Sequence, residues 1–196
     1  SDFVREYLIN SSWKDSIDIV YEDELLGTAG TILANKEYFK NEHFFVAHAD
    51  NLSIFDMDSF NRAYKNKNKD ILMTMMLFRC EDPSLCGVVE LNEYNEVIEF
   101  FEKQKNTSSN LANAAVFIFD PEIFQELENI NKKIMDISLD LIPNIINKIN
   151  CYENKIFHVD IGNIISWNMA NLDWPNNPSP FINKGVWKNL LENHFS

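Results

Sequence analysis

The chain has 196 residues, 45% of them hydrophobic, which suits one domain with a core of ordinary size. Its formal net charge of −13 argues against nucleic-acid binding, because such binding needs basic surface. The sequence shows neither an apolar run long enough to span a membrane nor a visible signal peptide, so we expect a cytoplasmic protein with no membrane partner. A pocket can still be basic in an acidic protein, which leaves room for a small phosphorylated ligand.

The cysteines and histidines give no pattern typical of a metal site. Three cysteines are present, and their spacing matches no zinc motif: Cys80, Cys86 and Cys151. The four histidines show no paired metal spacing either. We therefore interpret the cysteines as reduced structural thiols.

The N-terminal part of the chain is predicted to alternate between helices and strands. An apolar stripe of helical period ends near residue 10, and the β-branched residues 17–21 follow as a strand. A loop with two glycines leads into a helix over 28–39, and the apolar run Phe44–Ala47 is predicted as a buried strand. This succession of strand, helix and strand predicts a right-handed βαβ unit.

The remaining elements follow in chain order. They are predicted as a helix over 59–67, a buried strand over 71–78, a hairpin of strands 87–91 and 97–102, a strand over 114–119, helices over 122–127 and 138–149, strands over 151–152 and 156–160, and helices over 165–172 and 186–193. Three prolines exclude regular structure at 174–180. The pattern predicts an α/β fold with a mostly parallel sheet and an inserted antiparallel hairpin.

Two carboxylates stand out by their position. Asp50 and Asp160 each follow an apolar strand, and ligands of open α/β sheets bind outside the carboxyl ends of strands. If the two strands are close together, both carboxylates can hold one Mg²⁺, a cation that supports phosphoryl and nucleotidyl transfer. The alternative is that Asp50 is only a turn or cap residue and that Asp160 caps the next helix.

Three further segments carry weaker signals. The loop 25–30 precedes a helix N-terminus, where free amides can approach a base or a phosphate, although a tight turn is the alternative. Glu102 and Lys103 offer a carboxylate and an ammonium at a strand end, but such pairs are common on surfaces. Asn113 is suited either to bonding a sugar hydroxyl or to starting a strand.

Taken in order, these pieces resemble a known series of motifs. The series here is Leu26-Gly27-Thr28-Ala29-Gly30, His48-Ala49-Asp50, Gly87-Val88-Val89, Phe101-Glu102-Lys103, Asn113-Ala114-Ala115, Asp140-Leu141-Ile142-Pro143 and Asp160-Ile161-Gly162. It resembles that of the sugar-1-phosphate nucleotidyltransferases: Leu-Gly-Thr-Ala/Gly-Gly, Gly-Asp, Gly-Val-Val, Glu-Lys-Pro, Asn-Ala-Gly, Asp-Val-Leu-Pro and Asp-Ile-Gly-Thr. The resemblance covers most of the chain and is nearest to bacterial mannose-1-phosphate or heptose-1-phosphate guanylyltransferases.

The resemblance implies a Rossmann-like, three-layer nucleotidyltransferase fold. It also implies transfer of a nucleotidyl group from a nucleoside triphosphate, with GTP favoured, to a sugar 1-phosphate for surface polysaccharide synthesis. Matched residue by residue, Asp50 and Asp160 would ligate Mg²⁺ and Lys103 would bind the sugar phosphate, so these are the predicted catalytic residues. The predicted substrate contacts are Leu26, Gly27 and Thr28 for the base or ribose, and Gly87, Glu102 and Asn113 for the sugar.

The main departure from the family pattern lies at the N-terminus. The family begins with a strand and a loop, Gly-Gly-x-Gly-Thr-Arg-Leu, that holds the triphosphate, and no such glycine cluster occurs here. We therefore expect an N-terminally incomplete nucleotidyltransferase-like domain over 1–172, followed by a Pro-rich loop and a helix over 173–196 that pack on it. Its free sheet edge would be covered by a second copy of the chain or by a partner.

Smaller departures replace single residues of the motifs. Ala49 and Ala115 stand where the family has Gly, Gln104 where it has Pro, and Asn163 where it has Thr. With the missing loop, these changes favour an alternative, a catalytically inactive domain that binds a nucleotide sugar or regulates a partner. A glycosyltransferase is a weaker alternative, because the Asp-x-Asp spacing at 56–58 precedes a helix rather than ending a strand.

Overall fold

The computed structural model describes residues 2–39, 41–104 and 107–173, and the structural statements below concern these residues. The strands are β1 Phe44–Ala47, β2 Asn51–Ile54, β3 Met73–Arg79, β4 Gly87–Leu91, β5 Val97–Glu102, β6 Leu111–Phe119, β7 Ile149–Glu153 and β8 Phe157–Asp160. The α-helices are α1 Asp2–Asn10, α2 Gly27–Ala34, α3 Met57–Lys65, α4 Ile123–Ile130, α5 Ile142–Asn144 and α6 Ile164–Asp173. Short 3₁₀ turns occur at Lys36–Phe39 and Pro83–Leu85, and a π-helical turn at Ile137–Leu141. None of the described helices combines the length and apolar character needed to cross a bilayer. The predictions for 174–196 lie outside the described residues.

One mixed sheet forms the centre of the molecule. Its strand order is β5-β4-β6-β3-β7, and β1 lies beside the C-terminal half of β6. The strands β1, β3, β4 and β7 run in one direction, and β5 and β6 run against them. The α/β class and the inserted hairpin β4–β5 are therefore confirmed. Among the described pairs of neighbouring strands, only β3 and β7 are parallel. The central strand β6 runs against each of its neighbours, which makes the pairs that it forms antiparallel.

Helices cover both faces of the sheet, which explains its continuous apolar strands. Met73, Met75 and Leu77 of β3 belong to the larger core cluster, to which α2 and α4 contribute. Met76 points to the other face and packs in a second cluster with Phe60 of α3. Successive residues of a strand point to opposite faces, so a strand covered on both sides needs apolar side chains at consecutive positions.

The N-terminal segment 2–26 differs from the prediction. The helix α1 has no buried residue, and residues 17–21 pair with no strand in the described part of the chain. The predicted strand at 17–21 is therefore wrong for the described chain, and so is the βαβ unit that depended on it. A strand needs a neighbour to satisfy its N–H and C=O groups, and a β-branched composition alone does not supply one.

The strand β1 leaves one edge of the sheet free, as the sequence predicted. Its residues pair with β6 on one side, and its other side meets no described strand. Phe45 is 45% exposed in this strand. An unpaired apolar edge of this kind is open to pairing with another strand.

Three elements differ from the prediction for local reasons. The helix predicted over 28–39 ends at Ala34, because Asn35 caps it before a 3₁₀ turn. The helix predicted over 138–149 is a π-helical turn followed by α5, and Asn147 then takes a left-handed φ of 68° that a helix does not continue through. The strand β2 has no clear sequence signal, because it is short and begins with a polar residue.

A largely buried ion pair fastens the loop after α3 to the end of β6. Lys67 Nζ lies 2.8 Å from Asp120 Oδ2, and the two side chains are 11% and 18% exposed. Lys67 also donates to the carbonyl of Ile71 at 2.7 Å, and Tyr64 donates its hydroxyl to Asp120 at 3.2 Å. Burial, followed by the charge of Asp120 and the hydrogen bond to it, raises the pKa of Tyr64 to about 12.

Asp56 has a structural role in this fold. Its side chain accepts hydrogen bonds from the backbone amides of Asp58 and Ser59, which makes it the N-cap of α3. The Asp-x-Asp spacing at 56–58 therefore belongs to a helix start, as the sequence predicted.

Candidate functional site

Asp50 and Asp160 lie side by side at one end of the sheet. Asp50 follows β1, and the next residue, Asn51, pairs with Asp160 where β2 meets β8. The amide of Ile161 donates to the carbonyl of Asp50 at 2.8 Å, and the amide of Gly162 donates to Asp160 Oδ1 at 2.7 Å. The unpredicted pairing of β2 with β8 is therefore what brings the two aspartates together.

Gly162 leaves open the space between the two carboxylates. A Cβ atom on Gly162 would lie 2.9 Å from Asp160 Oδ1 and 3.4 Å from Asp50 Oδ2. Both oxygens therefore border the same small volume, which a side chain at position 162 would partly fill. Both aspartates are exposed, and carboxylate oxygens around an unfilled volume are a donor set that suits a hard cation such as Mg²⁺.

The protein supplies only part of the ligand shell that such a cation needs. Within the described residues, no group of three or more acidic, histidine or cysteine side chains could hold a metal ion. Mg²⁺ prefers octahedral oxygen coordination, usually keeps several waters and takes further ligands from substrate phosphates. Two carboxylates therefore fit a cation shared with a phosphorylated ligand better than they fit a closed structural site.

Glu102 and Gly87 face each other across the hairpin β4–β5. A Cβ on Gly87 would lie 2.6 Å from Glu102 Oε2 and 2.7 Å from the ring of Phe100, so a side chain at position 87 would displace these two groups. Burial raises the pKa of Glu102, the charge of Lys103 opposes this rise, and Asp136 adds to it. The Lys103 side chain is 66% exposed, and its Nζ lies 3.8 Å from Glu102 Oε1. A partly buried carboxylate and an exposed ammonium thus adjoin, an arrangement that suits a polar, anionic ligand.

The loop 26–28 is fastened to the backbone of Met135. Gly27 has a φ of 75°, and a Cβ on it would collide with the Met135 carbonyl. The amides of Ala29 and Gly30 donate to that same carbonyl at 3.0 and 3.2 Å. The expectation that free amides point outward at this helix start is therefore wrong for these two groups.

Thr28 is held by the segment that follows Met135. Its hydroxyl donates to Asp136 Oδ2 at 3.0 Å and accepts from the amide of Ile137 at 2.8 Å. Asp136 also caps the π-helical turn, and its charge acts on Glu102. Asp136, which the sequence did not single out, therefore links a predicted base contact to a predicted sugar contact.

A bulge in β6 lies beside Asn113. Between the pairs Met75–Phe117 and Leu77–Asn113, one residue of β3 faces three residues of β6. Within this bulge Ala115 takes a φ of 51°, and its amide donates to Asn113 Oδ1 at 2.8 Å. Asn113 thus uses its side-chain oxygen in the bulge, which leaves its NH₂ group to donate elsewhere.

The segments that carry the predicted metal ligands and the predicted sugar contacts both bond to β6 near this bulge. The residues on either side of Asp50 donate hydrogen bonds to the carbonyls of Ala114 and Ala115. Further towards the start of β6, and on the same side of this strand, Val88 at the start of β4 pairs with Ala112. The predicted metal ligands and the predicted sugar contacts therefore approach the same few residues of one strand.

A second concave region beside β8 was not anticipated from the sequence. It has a volume of about 500 Å³ and is lined by Phe78, Arg79, Glu153, Asn154, Lys155, Ile156, Phe157 and His158. Burial lowers the pKa of His158 to about 4 while Asp160 acts in the opposite sense, and Ser53 Oγ lies 2.7 Å from His158 Nδ1. Arg79 is paired with Glu153 at 2.9 Å. No sequence spacing marks this region, because the fold brings residues 78–79 of β3 beside the distant segment 153–158 that joins β7 to β8.

Known proteins resemble this chain along most of its length. The family model described as Nucleotidyl transferase matches residues 1–177. The glucose-1-phosphate adenylyltransferase of Mycoplasma mobile is 30% identical over 158 residues, which cover 75% of this chain and 41% of that protein. The mannose-1-phosphate guanylyltransferase catalytic subunit beta of Dictyostelium discoideum is 30% identical over 168 residues, which cover 81% of this chain and 45% of that protein. The chain thus spans less than half the length of these curated relatives.

Solved structures share the fold. A protein of Bacillus anthracis described as a glucose-1-phosphate thymidylyltransferase, solved with sucrose, matches 95% of this chain and 75% of its own, with a TM-score of 0.71 and 19% identity. HddC from Yersinia pseudotuberculosis, complexed with GMP-PN, matches 88% of this chain and 74% of its own, with a TM-score of 0.69 and 20% identity. Identities this low are informative about the fold alone.

Proposed function

Because the chain belongs to the nucleotidyl transferase family, which its match over residues 1–177 shows, we propose that it takes part in transferring a nucleotidyl group from a nucleoside triphosphate to a sugar 1-phosphate. The products are a nucleotide sugar and pyrophosphate, and we assign the reaction to surface polysaccharide synthesis in the cytoplasm. The observation that carries the proposal is the position of the Asp50 and Asp160 carboxylates on either side of the open space beside Gly162.

In this proposal Asp50 and Asp160 hold Mg²⁺. When bound, the cation would neutralise charge on the phosphates and help to fix their geometry. The chain's own part is to present two exposed carboxylates side by side and to keep the space between them free of a side chain. The bonds from Ile161 to the carbonyl of Asp50 and from Gly162 to Asp160 Oδ1 support that arrangement.

Lys103, Glu102 and Asn113 bind the sugar 1-phosphate in this proposal. The exposed ammonium of Lys103 pairs with the phosphate, while the Glu102 carboxylate accepts a hydrogen bond from a sugar hydroxyl. Gly87 allows Glu102 to lie close to the backbone of β4. Asn113 contributes the NH₂ group that the bulge does not use.

The base and ribose contact the loop of Leu26, Gly27 and Thr28 in this proposal. The hydrogen bonds to Met135, Asp136 and Ile137 make this loop a preformed surface. GTP is the favoured triphosphate because relatives include a guanylyltransferase, although an adenylyltransferase is equally similar. Turnover compared with GTP, ATP and dTTP identifies the base.

A catalytically inactive domain that binds a nucleotide sugar or regulates a partner is the second candidate. It is favoured by the hydrogen bonds from Ala29 and Gly30 to the Met135 carbonyl. Amides engaged in this way are not available to a triphosphate, although free helix N-termini are good anion sites. Attraction of phosphate would then rest mainly on Lys103 and a bound cation.

Pyrophosphate release by the full chain separates the two candidates. The assay combines GTP, ATP or dTTP with mannose 1-phosphate or glucose 1-phosphate, and Asp58→Asn, which removes a carboxylate from the first turn of α3, serves as the control. Turnover that needs Mg²⁺ and is lost in Asp50→Asn and Asp160→Asn supports the transferase. Calorimetric binding of a nucleotide sugar without turnover supports the inactive domain, and the absence of both contradicts both proposals.

A further inference from the structure

The peptide that carries Asp50 is tied to β6 on both sides of this residue. Two positions earlier, the backbone amide of His48 donates to the carbonyl of Ala115 at 3.2 Å. One position later, Nδ2 of Asn51 donates to the carbonyl of Ala114 at 3.0 Å. The backbone amide of Asn51 also donates to the carbonyl of His48 at 3.3 Å, which closes a tight turn around Asp50.

The bulge of β6 makes the carbonyl of Ala114 available. In a regular antiparallel ladder, carbonyls bond across to the neighbouring strand. Here the ladder with β3 is interrupted between the pairs Met75–Phe117 and Leu77–Asn113, and the carbonyl of Ala114 accepts from Asn51 Nδ2, whereas the bond from His48 to Ala115 continues the pairing of β1 with β6 beyond Ala47–Val116. The turn is therefore held partly by the pairing of β1 with β6 and partly by the irregularity of β6, where Asn51 contributes a side-chain bond.

We propose that Asn51 is a positioning residue for the predicted metal site, and that its bond to β6 sets the separation between Asp50 and Asp160. The proposal rests on the proposed function, since it assumes that the two aspartates share a cation. Asn51 precedes the rest of β2 and pairs directly with Asp160. Asn51 therefore connects Asp50 to β2, which pairs with the strand that carries Asp160. The carboxamide of Asn51 attaches this connecting residue to β6.

Loss of this carboxamide should weaken cation binding more than it weakens the fold. Asp50 would then lie on an exposed turn with more accessible conformations, and only some of these would keep its Oδ2 beside the space at Gly162. Hydrogen bonds that orient metal ligands typically contribute about 10–100-fold to metal affinity, and we expect a loss of about tenfold in Asn51→Ala.

Paramagnetic broadening by Mn²⁺ measures this effect in the full chain without substrate. Mn²⁺ accepts the same carboxylate and water oxygens and broadens the NMR signals of nearby amides. The amide of Gly162, which donates to Asp160, is the reporter. We expect half-maximal broadening of this signal at about tenfold higher Mn²⁺ concentration in Asn51→Ala than in the unsubstituted chain. Asn51→Thr, which suits a strand but is too short to reach Ala114, should show the same shift and covers the case of a poorly folded alanine variant.

Asn35→Ala is the matched control. Asn35 also donates Nδ2 to a backbone carbonyl, that of Thr31 at 2.8 Å, at the C-terminal end of α2. Its loss should lower thermal stability without moving the Mn²⁺ midpoint. Unchanged Mn²⁺ affinity in both Asn51 variants would overturn the positioning role and leave the metal site intact. Absence of broadening in the unsubstituted chain, or equal broadening in Asp50→Asn, would overturn the metal site and the positioning role together.

Discussion

Residues 2–26 and the central sheet both carry many apolar side chains, but they differ in how far these side chains are buried. Tyr21 and Leu25 are 85% and 84% exposed, whereas Met73 and Met75 of β3 are 0% exposed. Residues 17–21 contain more β-branched residues than β3 does, yet β3 has a strand on each side and 17–21 pair with none in the described chain. Composition indicates which side chains a segment is able to bury. Whether they are buried depends on the strands and helices that pack beside that segment.

Truncating a ring in each region should give the largest contrast. Phe60→Ala should lower the free energy of unfolding by about 3–5 kcal/mol, because the ring is fully buried in the second core cluster. Tyr21→Ala should change it by less than about 0.5 kcal/mol, since its side chain is exposed. Urea unfolding followed by circular dichroism measures both variants. A cost for Tyr21→Ala that approaches the cost for Phe60→Ala would break the contrast and show that residues 2–26 are packed in solution.

The same contrast should hold for charged side chains. Asp120→Ala should cost about 3 kcal/mol, because it leaves Lys67 largely buried without its partner. Glu128→Ala removes the acidic partner of Lys36 from a pair whose side chains are 54% and 47% exposed, and it should cost only about 0–1 kcal/mol. Chemical denaturation of the two variants tests this pair. Equal costs would mean that burial is not what makes the Lys67–Asp120 pair important.

Alkaline pH should distinguish a tyrosine in the sheet region from one in the exposed segment. The pKa of Tyr64 is raised from 10.0 to about 12 in the folded chain, so the unfolded state loses this proton first. The contribution of Tyr64 is fully present below pH 10.0 and is lost as pH rises through about 12. Tyr64→Phe should therefore flatten the decline of stability across this interval, measured as thermal unfolding midpoints. Tyr21→Phe is the matched control and should leave the decline as it is, because its ring is exposed.

The smallest effect concerns the backbone rather than burial. Ala115 has a left-handed φ of 51°, a conformation that costs a non-glycine residue about 1–2 kcal/mol. Ala115→Gly should therefore stabilise the chain by about 1 kcal/mol, since glycine takes this conformation freely. Ala112→Gly, in the same strand at an ordinary φ, should destabilise it by about 0.5–1 kcal/mol. If calorimetric unfolding showed that both variants are stabilised, or that both are destabilised, this would contradict the assigned conformation of the bulge.

Some of the site could be predicted from the sequence because it follows strand ends. Asp50 and Asp160 each come after an apolar run, and the carboxyl end of such a run is visible in the pattern. Gly87 and Glu102 could be paired in advance, since the hairpin between them is short and its turn is polar. The structure places Asp50 beside Asp160 and Glu102 opposite Gly87, and their roles in binding stay predictions.

The rest depended on contacts that no local pattern contains. Thr28 bonds to Asp136 across 108 residues, so neither side chain signals the other. The sequence gives no signal for the role of Asn51, because its bond to Ala114 requires a bulge 63 residues further along the chain. The prediction of a strand at 17–21 is wrong for a related reason. Its pattern is typical of a paired strand, but no strand of the described chain pairs with it.

The bulge of β6 also fixes which face of the sheet each earlier residue of that strand serves. Side chains alternate along a strand, so the parity of the residue count between Asn113 and Phe117 decides the face on which Asn113 lies. Deleting one residue there would turn the whole N-terminal part of β6 over, moving Asn113 from the face covered by α2 and α4 to the face covered by α3. Deleting two would straighten the strand while keeping every face as it is. Length changes in this stretch are therefore governed by an odd–even rule.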